Sequence, residues 1–391
     1  MRRKSALLVL ISALSSIVPL CVGVARASDT SSSSSNSTDT TYFAEFAPGT
    51  SLNRDLAMLR STGARIQYVY RNVVNGASFT MPSNVVGALE LNPAFTNVQA
   101  DVPMYASSVT PIAVQPNPTW GLDRIDQHSL PLDGKFSPLS AGKGVTAYVV
   151  DTGIARANAE FKGRIRGGFS SVPGGTEDCN GHGTHVSGTI GGSTFGVARA
   201  VTLVPVRVLD CNGHGSATGV IAGLDWVVGN HKAGEPAVLN MSLGGGVSAA
   251  LDKAVKRVVA DGVTVVVAAG NTNSDACLSS PSRVPTAITV GATQRTDQRA
   301  SFSNWGTCVD MFAPGVNITS AWVGGSKSTN TISGTSMATP HVTGAAAVVL
   351  SVHPQMKPLD VASTLLSMAT TGAVTDVGQG SPNTLLYVGS K

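Results

Sequence analysis

Two regimes of hydrophobic patterning divide the chain. Over residues 42–106 short apolar segments alternate with turns. Residues 42–46 read as a strand, 52–61 as a helix and 64–70 as a strand, with 83–91 as a second helix and 95–100 as a further strand. That β-α-β…α-β order fits a small two-layer α+β domain of roughly 65 residues. From Trp120 onward the apolar runs become continuous and of strand length, at 145–150, 201–209, 237–243, 263–269 and 287–290. Between and after them lie helical candidates at 182–190, 217–228, 249–260, 336–352 and 359–368. Strands apolar on both sides and separated by helices predict an α/β fold, a parallel central sheet flanked by helices on both faces. In such a fold function gathers beyond the C-terminal ends of the strands.

The remaining segments carry no core. Arg2, Arg3 and Lys4 precede an apolar stretch over 6–24, and Ala25-Arg26-Ala27 supplies a small-x-small cleavage site. Residues 1–27 therefore read as a secretory signal peptide rather than a membrane anchor. Residues 28–41, rich in Ser, Thr, Asn and Asp, form a solvated linker. A second linker over about 103–118 contains Pro103, Pro111, Pro116 and Pro118 and few strand or helix signals. No later run is long and apolar enough to span a bilayer, so the expectation is an exported protein with no membrane contact once the signal is removed.

Composition narrows the class. Hydrophobic residues make up 42% and charged residues 13% of 391, which suits a compact body of at most two folded units. The net charge of +4 is spread along the chain and describes a mildly basic surface, not a nucleic-acid footprint. Of five cysteines, Cys21 leaves with the signal, and Cys179, Cys211, Cys277 and Cys308 remain. Four cysteines in an exported chain imply disulfides, with three pairings open. Their spacing is not that of a zinc site.

The candidate chemistry lies at strand ends and helix starts. Asp151 follows an apolar run and precedes Thr152-Gly153, so its carboxylate emerges beside a tight turn. His182 sits in Asn180-Gly181-His182-Gly183-Thr184-His185, where glycines permit close backbone approach before a helix begins. Ser336, in Gly334-Thr335-Ser336-Met337-Ala338-Thr339-Pro340, opens an apolar helix whose N-terminal dipole favours negative charge. Pro340 is expected in the first turns, where a missing N–H costs little. Serine-based peptide hydrolysis needs a nucleophile, a base, a group orienting the base and donors for the oxyanion. The order Asp…His…Ser is one of three known for this triad. The residues around Ser336 are not G-x-S-x-G, which argues against an esterase or lipase. H-x-x-H at His182 and His185 lacks the Glu of a zinc protease.

Val149-Val150-Asp151-Thr152-Gly153, Gly181-His182-Gly183-Thr184-His185-Val186-Ser187-Gly188-Thr189 and Gly334-Thr335-Ser336-Met337-Ala338-Thr339-Pro340-His341-Val342 resemble, in order, the three signatures of subtilisin-like serine proteases. The resemblance covers residues 120–391 densely and 42–100 more loosely, the latter as the family's propeptide domain. It implies Ser336 as nucleophile, His182 as general base and then acid, and Asp151 as the orienting partner, with no catalytic cofactor. His185 and His341 take structural roles. Asn271, in Ala-Gly-Asn, is implied as oxyanion donor with the backbone N–H of Ser336. Gly213-His214-Gly215 and Ser242-Leu243-Gly244-Gly245-Gly246 resemble the segments that flank a bound peptide, and Gly244–Gly246 with Ala268–Gly270 would line the S1 pocket. No acid appears there, so apolar or aromatic P1 residues are expected. Ala217 stands where the branch often has a larger residue.

Residues 120–127 and 206–226 further resemble proteinase K and aqualysin. That branch implies the disulfides Cys179–Cys211 and Cys277–Cys308 and structural calcium. Asp310 with the carbonyls of Pro285 and Ala287 matches one site, and Asp123, Asp126, Gln127 and Asp133 match a second. The implied organisation is signal peptide 1–27, propeptide 28–112 acting as chaperone and intramolecular inhibitor, and a catalytic domain 113–391 cut free near Ile112–Ala113. The expected product is a secreted, monomeric endopeptidase acting on protein and peptide substrates. Its rivals are a secreted pseudoprotease, which would lack a triad or oxyanion residue, and an esterase.

Overall fold

The structure, a computed structural model, describes residues 39–106 and 119–389. The signal peptide, the first linker up to residue 38, Cys21 and the 112–113 boundary lie outside the described residues.

The N-terminal part runs β1 (Asp39–Phe46), α1 (Leu52–Ser61), β2 (Arg65–Tyr70), β3 (Gly76–Pro82), α2 (Gly87–Glu90), β4 (Phe95–Ala100) and β5 (Pro103–Ala106). The first four strands form an antiparallel sheet in the order β2-β3-β1-β4. Alternation along β1 explains how it is used. Tyr42, Ala44 and Phe46 face a core with Leu56, Leu59 and Phe79, whereas Phe43 faces the rest of the molecule.

Three expectations need correcting here. A strand at Gly76–Pro82 was not anticipated, because Gly, Ala and Ser give it weak β propensity despite the inward row Ala77, Phe79, Met81. The helix expected at 83–91 shrinks to Gly87–Glu90, since Gly87 weakens it from inside and Asn92-Pro93 stops it. The second linker begins with a strand, β5, whose extended form comes from its partners rather than from its own residues.

The larger part continues α3 (Trp120–Arg124), β6 (Thr146–Asp151), β7 (Phe169–Ser170), α4 (His182–Gly191), β8 (Thr202–Arg207), β9 (His214–Ser216), α5 (Ala217–Asn230), β10 (Ala237–Met241), β11 (Leu243–Gly245) and α6 (Ala249–Ala260). It ends with β12 (Thr264–Ala268), β13 (Ile288–Thr293), β14 (Met311–Pro314), β15 (Ile318–Ala321), β16 (Thr329–Ile332), α7 (Thr335–Val352), α8 (Pro358–Met368), β17 (Thr370–Thr371) and β18 (Thr384–Leu385). The central sheet has the order β17-β18-β14-β13-β12-β10-β6-β8-β7. Every ladder in it is parallel except β17–β18 at one edge.

Period-two alternation distributes the two cores. Ala147, Val149, Val238 and Val266 face α4 and α7, and Tyr148, Val150, Leu239, Val265 and Val267 face α5 and α6. Both faces are covered, so the strands read as unbroken apolar runs. Near-neighbouring strand ends deliver Asp151 from β6, Ser242 just beyond β10 and Asn271 three residues after β12 to one edge of the sheet.

Candidate active site

Asp151, the last residue of β6, is fully buried. Its Oδ1 accepts from the Thr152 N–H (2.8 Å) and from His182 Nδ1 (2.7 Å), while Oδ2 has no partner. Two glycines let the helix of His182 come this close. A Cβ on Gly183 would stand 2.3 Å from the Gly153 carbonyl oxygen, and Gly181, at φ 110°, would meet the Trp322 ring at 2.4 Å. Asp178 braces the turn by accepting from Thr152 Oγ1 (2.9 Å), Gly181 N (3.0 Å) and Thr184 N (2.9 Å).

The electrostatics of His182 follow from this. Burial disfavours its charged form, but the Asp151 carboxylate, by charge and hydrogen bond, and Asp178 by charge outweigh it, and the pKa is raised. Its other nitrogen, Nε2, is buried without a hydrogen-bond partner. His185 is also buried, with Nδ1 lacking a partner, but no carboxylate holds its ring. Burial pushes its pKa down to about 3, and Nε2 donates to the Ile318 carbonyl at 2.9 Å. His341 is likewise pushed down by burial, to about 4, with Nδ1 donating to the Met337 carbonyl at 2.8 Å. Both rings stay neutral packing elements.

Ser336 is the second residue of α7 and is fully buried. Its Oγ donates to the Ser242 carbonyl at 3.1 Å. The hydrogen bond from the serine hydroxyl to His182 Nε2 is therefore not made in this structure. Pro340 corrects an expectation. It is the sixth residue of the helix, so its missing N–H frees the Ser336 carbonyl. The Ser242 hydroxyl donates to that carbonyl at 2.8 Å, and Asn240 Nδ2 donates to Ser242 Oγ at 2.9 Å. Thr343 Oγ1 donates in turn to Asn240 Oδ1 at 2.9 Å. The serine's turn of helix thus hangs from a buried polar network that motif reading did not reveal.

Asn271 follows β12 and Gly270. Its Oδ1 accepts from Thr335 N (2.8 Å) and Thr335 Oγ1 (2.9 Å), which fixes the amide so that Nδ2 points away from both. That Nδ2 is buried with no partner. A pinned amide presenting an unpaired donor is a ready site for a developing negative charge.

The two segments expected to flank a bound peptide are paired with the chain itself. β5 pairs antiparallel with β9 on one side (Met104 opposite Gly215, Tyr105 opposite His214) and with β11 on the other (Tyr105 opposite Gly244, Ala106 opposite Leu243). Gly213 turns at φ 78° ahead of β9, and Ser242 and Leu243 are fully buried. Gly244 has room for no more than an ordinary contact, and Gly246 borders open space. A Cβ on the first meets only the Ser280 carbonyl, at 3.6 Å, and one on the second meets nothing within 4 Å. Ala268 ends β12 beside them.

The cysteines are joined as Cys179–Cys211 and Cys277–Cys308, with Cα separations of 5.0 and 5.3 Å. The first bridge ties the loop before His182 to the turn before β9. Both sets expected to hold calcium offer oxygen donors, the type a hard cation requires. Burial pushes Asp310 up to about 6, and its one resolved donor is the Thr289 N–H (2.7 Å) on Oδ2. Asp126 Oδ1 is buried without a partner, and burial, with Asp133 and Asp123 close by, raises its pKa. Asp123 accepts from Gly134 N (3.0 Å), Gln127 Oε1 from Asp133 N (3.0 Å), and Asp133 Oδ1 from Lys135 N (2.9 Å). Among the described residues no three His, Cys, Asp or Glu side chains converge as a metal cluster. A cation here would depend on carbonyls such as those of Pro285 and Ala287 as well.

Residues 142–385 match the family model described as the Subtilase family. An extracellular serine proteinase of Thermus sp. (strain Rt41A) is 58% identical over 334 residues, 85% of this chain and 80% of that relative. Alkaline serine exoprotease A of Vibrio alginolyticus is 51% identical over 329 residues, 83% of this chain and 60% of that relative. Among solved structures, the crystal structure of a cold adapted subtilisin-like serine proteinase superposes with a TM-score of 0.67 at 53% identity, covering 71% of this chain and 100% of that one.

Proposed function

Since the chain belongs to the subtilase family, and is a serine-type endopeptidase with that family, we propose that it works through Ser336, His182 and Asp151 and is made as a secreted, self-cleaving zymogen. Ser336 Oγ attacks the scissile carbonyl while its proton passes to His182 Nε2. The Asp151 carboxylate holds the resulting imidazolium through Nδ1. The tetrahedral oxyanion accepts from Asn271 Nδ2 and from the Ser336 N–H. On collapse His182 returns the proton to the leaving amine, and water hydrolyses the acyl-enzyme by the same steps in reverse. The observation that carries this reading is the 2.7 Å Asp151–His182 bond with His182 Nε2 left unpaired.

The self-cleaving part of the reading rests on β5. An extended peptide adds to a sheet edge through its main chain, and β5 joins β9 to β11 in that way. Residues 28–112 would then be a propeptide whose folded part, 42–106, blocks the site until it is cut away. Extensive docking supports this. Asp101 accepts from Thr218 N (3.0 Å) and Oγ1 (2.5 Å) at the start of α5, Lys253 pairs with Glu45, and Tyr68 Oη donates to the Ser171 carbonyl (2.7 Å). Met104, fully buried in one cluster with Ala217, Val220 and Leu243, occupies the space a substrate's apolar side chain would take. The open space beside Gly246 is bordered by no acid in the Gly244–Gly246 and Ala268–Gly270 segments and suits an apolar or aromatic P1 residue. Structural calcium, at Asp310 or at Asp123, Asp126, Gln127 and Asp133, would add stability, not chemistry. The Thermus and Vibrio relatives, an extracellular serine proteinase and an alkaline serine exoprotease, support export.

Active-site labelling tests the assignment. A sulfonyl fluoride should abolish peptide hydrolysis and add one sulfonyl group, mapped by peptide mass to Ser336. Loss of activity with the label elsewhere would overturn it.

A further inference from the structure

We propose that Asn304 is the positioning residue for the oxyanion donor, setting where the Asn271 backbone lies while Thr335 sets where its amide points. This rests on the reading of Asn271 given above. Asn304 is buried, lies 33 residues further along the chain, and touches both flanks of Asn271. On the side before it, the Asn304 N–H donates to the Gly270 carbonyl (2.9 Å) and Nδ2 donates to the Ala269 carbonyl (2.9 Å). On the side after it, Oδ1 accepts from Thr272 N (3.0 Å), Thr272 Oγ1 (3.0 Å), Ser274 N (3.1 Å) and Ser274 Oγ (3.4 Å). One side chain therefore spans the loop whose apex is Asn271.

The fit has a cost at residue 270. Gly270 has φ 104°, and a Cβ there would lie 2.4 Å from Asn304 Nδ2, so the amide occupies the volume a side chain would need. Thr335 then acts at a different bond. It grips Asn271 Oδ1 through N and Oγ1, which fixes the side-chain torsions but not the position of the Cα. An oxyanion donor works only within a few tenths of an ångström of its place, because the gain depends on a preorganised distance to charge that exists only in the transition state. Removing Asn304 leaves the donor present but unplaced. The loss should fall on kcat and spare KM, since the ground-state carbonyl gains little from that donor.

A double-mutant cycle on enzyme expressed as the full chain and left to process itself tests this. Asn304→Ala, Asn271→Ala and the double variant are compared for kcat, KM, melting temperature and inhibition by a peptide boronate, whose tetrahedral adduct uses the oxyanion site. Asn271→Ala should lower kcat about 10²–10³-fold. Asn304→Ala should lower kcat about 10–100-fold, leave KM within about threefold and weaken the boronate by a similar factor. In the Asn271→Ala background, removing Asn304 should cost less than about threefold, because its target is gone. If a variant cuts itself too slowly to purify, the rate of self-cleavage followed by intact mass replaces kcat. The proposal is overturned if Asn304→Ala keeps kcat while Asn271→Ala loses it, or if the two losses multiply. A purely structural role would lower the melting temperature and the yield of active enzyme, with kcat per boronate-titrated site unchanged. If Asn271→Ala itself retains kcat, the oxyanion reading fails instead.

Discussion

Asp225 offers the sharpest quantitative test of how the N-terminal part, the proposed propeptide, is held. It lies midway along α5, and its Oδ1 accepts three successive backbone N–H groups, from Arg71 (3.1 Å), Asn72 (2.6 Å) and Val73 (3.0 Å). Its own carbonyl accepts from Asn72 Nδ2 (3.1 Å). A hydrogen bond to a charged group contributes about 1.5–3 kcal/mol net, but here three donors share one oxygen, and those of the exposed residues Arg71 and Asn72 regain water on release. Asp225→Ala should therefore weaken docking by about 2–4 kcal/mol, a factor of about 30–1,000 in the inhibition constant. The assay adds separately produced residues 28–112 to the processed enzyme and follows hydrolysis of a peptide anilide. None of the hydrogen bonds of Asp225 reaches the triad, Asn271 or the strands that flank β5, so kcat/KM should stay within about twofold. An inhibition constant unchanged within about threefold would refute the reasoning, as would kcat/KM falling in parallel.

Three further outcomes concern the triad, the buried Asp310 and a disulfide. Activity should rise with pH as His182 loses its proton, with the acid limb of kcat/KM above the ordinary imidazole value of about 6.5, and Asp151→Asn should move that limb down and cost about 10⁴ in kcat; an unmoved limb in the pH–rate profile contradicts the role of Asp151. Burial raises Asp310 to about 6, so without a cation stability falls as pH climbs from the ordinary carboxylate value to 6, and added calcium should raise the melting temperature above that pH and far less below it. Asp310→Asn should blunt that calcium response in differential scanning calorimetry. Replacing Cys277 and Cys308 with Ser opens a bridge with a sequence separation of 31 and should cost about 3–4 kcal/mol from loop-closure entropy, read as a lower denaturant midpoint.

Much of the fold was legible because burial on both faces of a parallel sheet writes itself as unbroken Val- and Leu-rich runs, and Asp151, His182 and Ser336 sit in motifs dense enough to be read in order. What escaped has a common cause, dependence on distant partners. β5 is extended because β9 and β11 flank it, and Pro103–Ala106 has no strand pattern of its own. The helix position of Pro340 makes sense only once Ser242, 94 residues before Ser336, donates to the Ser336 carbonyl. Asn304 looks like an ordinary loop residue until its amide is seen gripping both flanks of Asn271. The two histidines of one motif were separable in sequence only by resemblance. The structure separates them by environment, with one against a carboxylate and the other against a carbonyl.

The measurement that bears most directly on the central claim is an expression pair, wild type and Ser336→Ala, read by intact mass and by hydrolysis of a succinyl-peptide anilide with an apolar P1 residue. The account predicts that wild type sheds its N-terminal domain and cleaves the anilide, whereas Ser336→Ala retains residues 42–106 in one chain and does not turn over. Equal processing and equal activity in both would show that Ser336 is not the nucleophile.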